Sequence, residues 1–107
     1  MAKHSYYKAA SPLAAALERL SKLSGAGTAP DRMTRATEKL LADWQADPDL
    51  APDALAERLE SLRENLAAGV ADAEEQAGDV DTGDKAATRQ AAATLAGLRA
   101  ALAAVTR

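Results

Sequence analysis

Along most of this chain apolar side chains return at steps of three and four, the period of a helix with one buried stripe. Leu13, Leu17, Leu20 and Leu23 step 4-3-3 behind Ser11-Pro12. Ser is a preferred N-cap, and Pro at the first helical position has no N–H to leave unpaired. Lys22 suits the last turn and Gly25 is a C′ candidate, so a first helix is expected over about 12–24. Thr28 with Asp31 three residues on resembles a capping box. Met33, Thr37, Leu40, Leu41 and Trp44 then share a face before Asp47-Pro48, where Pro disfavours helix in the residue before it. That predicts a second helix over about 30–46. Pro52 and Asp53 open a third, with Leu55, Leu59, Leu62 and Leu66 at 4-3-4 and Ala73 and Ala77 extending the row to Gly78. Asp81-Thr82-Gly83-Asp84 supplies a turn and a cap. Ala91, Leu95, Leu98, Leu102 and Val105 then step 4-3-4-3 on a fourth helix.

The last two helices have similar seams and a short turn between them, and each would run about 36–39 Å at 1.5 Å per residue. They are expected to form a long antiparallel hairpin, with the first two helices against its apolar face. Charge supports that register. Residues 64–84 carry seven acids and no base, while 85–107 carry Lys85, Arg89, Arg99 and Arg107 and no acid. Folded near residue 80, Lys85 and Arg89 would approach Glu74 and Glu75, and Arg99 would approach Glu60 or Glu64. The fold class expected is all-α: a small bundle of four helices, in one domain over 11–107, preceded by a basic and aromatic arm over 1–10.

Composition sharpens this. There are 29 Ala, 14 Leu and 3 Val among 107 residues, with no Ile and no Phe, and the aromatics are Tyr6, Tyr7 and Trp44. Strands favour the β-branched and aromatic residues that are scarce here. Ala buries little area, so a core of Leu and Ala gains by letting helix backbones approach closely. The resulting single-chain core is thin, which raises the expectation of a dimer or larger homo-oligomer. A net charge of −3 does not favour nucleic acid or an anionic membrane globally. The absence of Cys excludes a disulfide framework and thiolate sites and suits a cytoplasmic setting. No apolar run approaches the ~20 residues of a membrane span, and Lys3 and Lys8 are followed by no apolar h-region, so no secretory signal is expected. The bias toward Ala, Arg, Gly and Asp suggests a GC-rich bacterial or phage genome.

No catalytic, metal or cofactor constellation emerges. His4 is the only histidine, so a His-based dyad or metal cluster cannot be built in one chain. From Asp79 an EF-hand count puts Gly83 at position 5, Asp84 at 6 and Gln90 at 12, and each fails the ligand pattern. Glu57, Glu60 and Glu64 describe a solvated helix face. The expectation is therefore a protein that is not an enzyme, with no cofactor and no small-molecule substrate.

What remains are surfaces. Lys3, Tyr6, Tyr7 and Lys8 give the arm cations and stacking rings suited to phosphates and bases or to a protein groove. Arg32, Arg35 and Lys39 fall along one side of the second helix, with Arg19 and Lys22 on the first; the six-residue connection is too long for a helix-turn-helix. Trp44 is either a core anchor or an interface hot spot. On the fourth helix Ala86, Ala87, Ala92, Ala93, Ala96, Ala100, Ala103 and Ala104 lie off or beside the Leu seam. This smooth flank suits close packing by another helix. The sequence points first to a protein–protein interaction module, an adaptor, chaperone, inhibitor or regulator, and second to a plasmid- or phage-type nucleic-acid-associated regulator using the arm and the basic stripe. A third reading is an assembly subunit of a phage or secretion apparatus.

Overall fold

The computed structural model describes residues 11–107. They form an all-α bundle of four helices: α1 Pro12–Gly25, α2 Pro30–Gln45, α3 Pro52–Asp79 and α4 Lys85–Thr106. Three of the four begin with Pro at the first position, where a missing N–H does no harm. Ser11 caps α1, its hydroxyl accepting from Ala14 N–H at 3.1 Å. Asp84 caps α4, its carboxylate accepting from Ala87 N–H at 3.0 Å.

Two caps differ from expectation. Gly25 is the last helical residue of α1 rather than its C′ residue; that place in a Schellman motif falls to Gly27, at φ 80°. Thr28 N–H donates to Leu23 C=O at 3.1 Å and Gly27 N–H to Ser24 C=O at 3.0 Å. The capping box of Thr28 with Asp31 does not form: the N-cap of α2 is Ala29, without a side-chain hydrogen bond. Pro30 fixes the helix start, so the residue directly before it becomes the cap, and Thr28 is already part of the end of α1.

α3 and α4 pack side by side as the hairpin, and α4 is the hub that touches each of the other three helices. α1 lies along the groove between them, with Leu17 and Ser21 beside Leu66, Gly69 and Leu98. α2 crosses α4 from Met33, next to Gly97, to Glu38, whose carboxylate meets the Arg107 guanidinium at 3.0 Å. The molecule measures 19 Å along its thinnest principal axis, about two helix layers at 8–10 Å spacing. α1 and α2 thus cover one side of the hairpin.

The expected 4-3 seams are half right. Leu62, Leu66 and Ala73 of α3 are buried, as is Leu98 of α4. Leu55, Leu59, Leu95, Leu102 and Val105 are only partly buried. On α4 the buried residues besides Leu98 are instead Gly97, Ala101 and Ala104. A helix enclosed by three neighbours needs its smallest side chains where backbones come closest. A Cβ on Gly97 would stand 3.2 Å from Ser24 Cβ and 3.3 Å from Met33 Cγ. Ser24 and Thr37 are also buried and satisfy their hydroxyls on their own helices, with Thr37 Oγ1 donating to Met33 C=O at 2.8 Å and Ser24 Oγ to Ser21 C=O at 3.0 Å.

The helices of the hairpin are also less equal than expected, 28 residues against 22, or about 42 and 33 Å at the α-helical rise. α3 runs past the end of α4, and there Trp44 reaches it from α2. The charge register shifts with it. Arg99 Nη2 lies 2.6 Å from Glu74 Oε2, not beside Glu60 or Glu64. Helical side chains tilt toward their own N-terminus, so in an antiparallel pair Arg99 leans toward the turn, where Glu74 stands. Lys85 and Arg89 make no ion pair among the described residues.

Candidate interaction surfaces

The basic stripe of α2 is exposed as its spacing requires. Arg32, Arg35 and Lys39 all face solvent. Lys39 Nζ stands 3.8 Å from Asp43, an i,i+4 pair with both side chains largely exposed. Arg19 of α1 joins Lys39 and Asp43 around a shallow groove of about 70 Å³ floored by Ala36 and Leu40. The structure therefore brings Arg19 to the stripe from a second helix, and the groove is large enough for one small apolar side chain. Lys3, Tyr6, Tyr7 and Lys8 lie outside the described residues.

Trp44 is 7% exposed and belongs to the core. The Arg58 guanidinium sits 5.0 Å from its ring centroid, a cation–π contact that joins α2 to the overhanging part of α3. In the turn between α3 and α4, Asp81 accepts from Gly83 N–H at 2.9 Å and Asp84 from Ala87 N–H. Both carboxylates serve the backbone. Among the described residues no group of acidic or imidazole side chains is placed to hold a metal ion. No described helix is long and apolar enough to cross a membrane.

The largest feature that the helical period alone did not isolate is the back of the hairpin. At 3.6 residues per turn, Leu59, Arg63, Ala67, Val70 and Glu74 fall in one line along α3. Thr88, Ala92, Leu95, Arg99 and Leu102 fall in one line along α4. The Arg99–Glu74 pair spans the two lines, which fixes both on the same side. None of the described helices covers that side, because α1 and α2 occupy the other. Ala67, Ala92 and Ala103 are exposed there, and Leu59, Val70, Leu95 and Leu102 are half-buried between the two helices. Of the Ala flank expected on α4, Ala92 and Ala103 belong to this open face, whereas Ala104 is buried under its neighbours. The sequence signal for the open face was present: apolar residues occupy more of each helix circumference than one seam needs.

Charge is arranged asymmetrically about this face. Its outer edge on α3 carries Glu57, Glu60, Glu64 and Glu75, and its outer edge on α4 carries Lys85 and Arg89, all exposed. Glu60 accepts from Arg63, through Nε at 3.2 Å and a second, shorter contact through Nη2. The Arg63 hydrogen bond holds the Glu60 carboxyl below its ordinary value, and Glu60 in turn raises Arg63.

These features define a cysteine-free α-helical bundle with one open two-helix face and one basic groove. No protein-family model, curated protein or solved structure matches the chain.

Proposed function

We propose that this protein is a non-enzymatic interaction module that works by presenting the open face of the α3–α4 hairpin to another helical surface. The observation that carries the reading is the one-sided covering of that hairpin. Exposed alanines and half-buried leucines on two helices form apolar strips on either side of the Arg99–Glu74 pair. Small residues let a partner helix approach closely, and the half-buried leucines lose their remaining water when it does. Adaptor, chaperone, inhibitor and regulator roles all use such a surface.

A photo-crosslinking amino acid placed at Ala92, on the open face, tests this in cells of the native host. A discrete protein adduct at Ala92, absent when the same group replaces the exposed Ala15 of α1, is expected. Equal labelling at both positions, or none at either, contradicts the reading.

A second reading has its own observation, the convergence of Arg19 with Lys39 beside Arg32 and Arg35. A small nucleic-acid-associated regulator would place these cations on phosphates. It predicts a mobility shift of duplex DNA at low ionic strength that disappears on adding salt and on Arg32→Ala with Arg35→Ala. No shift at low salt eliminates it.

A further inference from the structure

We infer that the open face of the hairpin binds a second copy of this chain, with the two hairpins parallel and packed back to back around a twofold axis along their length. The inference deepens the interaction-module reading and rests on it. Three observations choose the occupant. The first is access: α1 and α2 lie on the opposite side, so two copies can bring these faces together without their other helices colliding.

The second is charge. The face is acidic along its α3 edge and basic along its α4 edge. A twofold axis along the hairpin sets α3 of one copy over α4 of the other, so the acidic edge of α3 faces an edge of α4 that carries no acid and, at the turn end, bears Lys85 and Arg89. A twofold axis across the hairpin sets α3 over α3, so the two acidic edges meet. Only the parallel arrangement is complementary. Glu75 and Arg89 both stand within seven residues of residue 82, so in the parallel arrangement the Arg89 edge of one copy and the Glu75 edge of the other lie at the same end of the dimer, on facing rims. Neither Arg89 nor Lys85 has an ion-pair partner within its own chain among the described residues, although acids lie along the same hairpin. A second copy would provide one.

The third is area. α4 is 22 residues long, about 33 Å, and two helices side by side are about 20 Å wide. The footprint is then about 650 Å² per copy, and about 1,300 Å² for both lies at the lower end of the range of specific interfaces. This is enough for a dimer that forms at micromolar concentration and exchanges, with the alanine-lined rows allowing close helix approach.

The experiment is sedimentation velocity of the full chain from about 1 to 500 µM, which brackets the dissociation constants of such interfaces. The expected result is a mass rising from one chain of 11.1 kDa toward two. Ala92→Arg, at an exposed helical position, should remain a single chain throughout while its far-ultraviolet dichroism is unchanged. Arg89→Glu should weaken the dimer about tenfold, and adding Glu75→Arg should restore it. Three results overturn the inference: a single-chain mass at every concentration, a dimer indifferent to Ala92→Arg, or a charge swap that fails to rescue. If the wild-type mass stays single while the crosslinker at Ala92 still captures a different host protein, the second copy is excluded and the interaction-module reading stands. If neither occurs, both fail.

Discussion

Two glycines in the middle of long helices make the packing quantitative. Replacing a mid-helix Gly by Ala gains about 0.8–1.0 kcal/mol from backbone entropy and solvation alone. At Gly69 of α3 the added Cβ meets nothing closer than Leu98 Cδ1 at 3.9 Å, an ordinary contact. Gly69→Ala should therefore keep the whole gain and raise the thermal midpoint by about 4–8 °C. At Gly97 of α4 the same methyl arrives 3.2 Å from Ser24 Cβ, 3.3 Å from Met33 Cγ and 3.5 Å from Ser24 Cα. Met33 is fully buried and can turn only into occupied space, and Ser24 can yield only if α1 moves. Overpacking of this kind costs about 1–3 kcal/mol, which exceeds the propensity gain. Gly97→Ala should lower stability by about 1 kcal/mol, and Gly97→Val by more. Denaturant unfolding followed by far-ultraviolet dichroism reads both. Neither glycine lies on the open face, so association does not enter the comparison. If Gly97→Ala stabilises as much as Gly69→Ala does, α4 is not gripped between α1 and α2, and the hub role assigned to it is wrong.

Other predictions follow from single sites. Leu62 has no solvent access, and Leu62→Ala should cost about 2–5 kcal/mol; a near-neutral result in the same unfolding assay would mean that the seam of α3 is misplaced. Asp84→Ala removes the only side-chain cap of α4 and should cost about 1 kcal/mol, visible as faster hydrogen exchange of the Ala86–Thr88 amides. Glu60 should titrate below an ordinary glutamate because Arg63 stabilises its charged form. The stabilisation is present at neutral pH and is lost as pH falls through the lowered value. A carboxyl carbon titration by NMR checks it, with Arg63→Ala expected to return Glu60 to the ordinary range and an unchanged midpoint counting against the pair.

Much of the fold was legible because its signals are local. Ser11-Pro12, Asp47-Pro48, Pro52 and Asp84 bound the helices within a residue or two of where they lie, since caps and prolines act through the backbone of their own turn. The leucine spacing placed the hairpin. What local pattern could not supply is which arc of α4 would be innermost. Gly97, Ala101 and Ala104 are unremarkable in a sequence so rich in alanine, and they became the core only because three helices converge on them. Likewise the pairing of Arg99 with Glu74 depends on the tilt of helical side chains, which a height-matched reading of the hairpin ignores. Thr28 lost its expected role because the Schellman turn of α1 uses its amide first. Of the candidate site, the exposure of Arg32, Arg35 and Lys39 could be read from spacing. The open face could be read only in part: the surplus of apolar positions signals a second surface, but which arc stays open depends on where α1 and α2 lie.

The absence of cysteine makes one measurement especially direct. A single Cys introduced at Ala92, on the open face, or at Ala15, on the outward side of α1, carries one nitroxide label without competition. The account predicts dipolar coupling between labels at position 92 that grows with chain concentration and vanishes on dilution with unlabelled protein, and none at position 15. No coupling at position 92 at high concentration, or equal coupling at both positions, would contradict the claim that the back of the hairpin is where this protein meets another copy of itself.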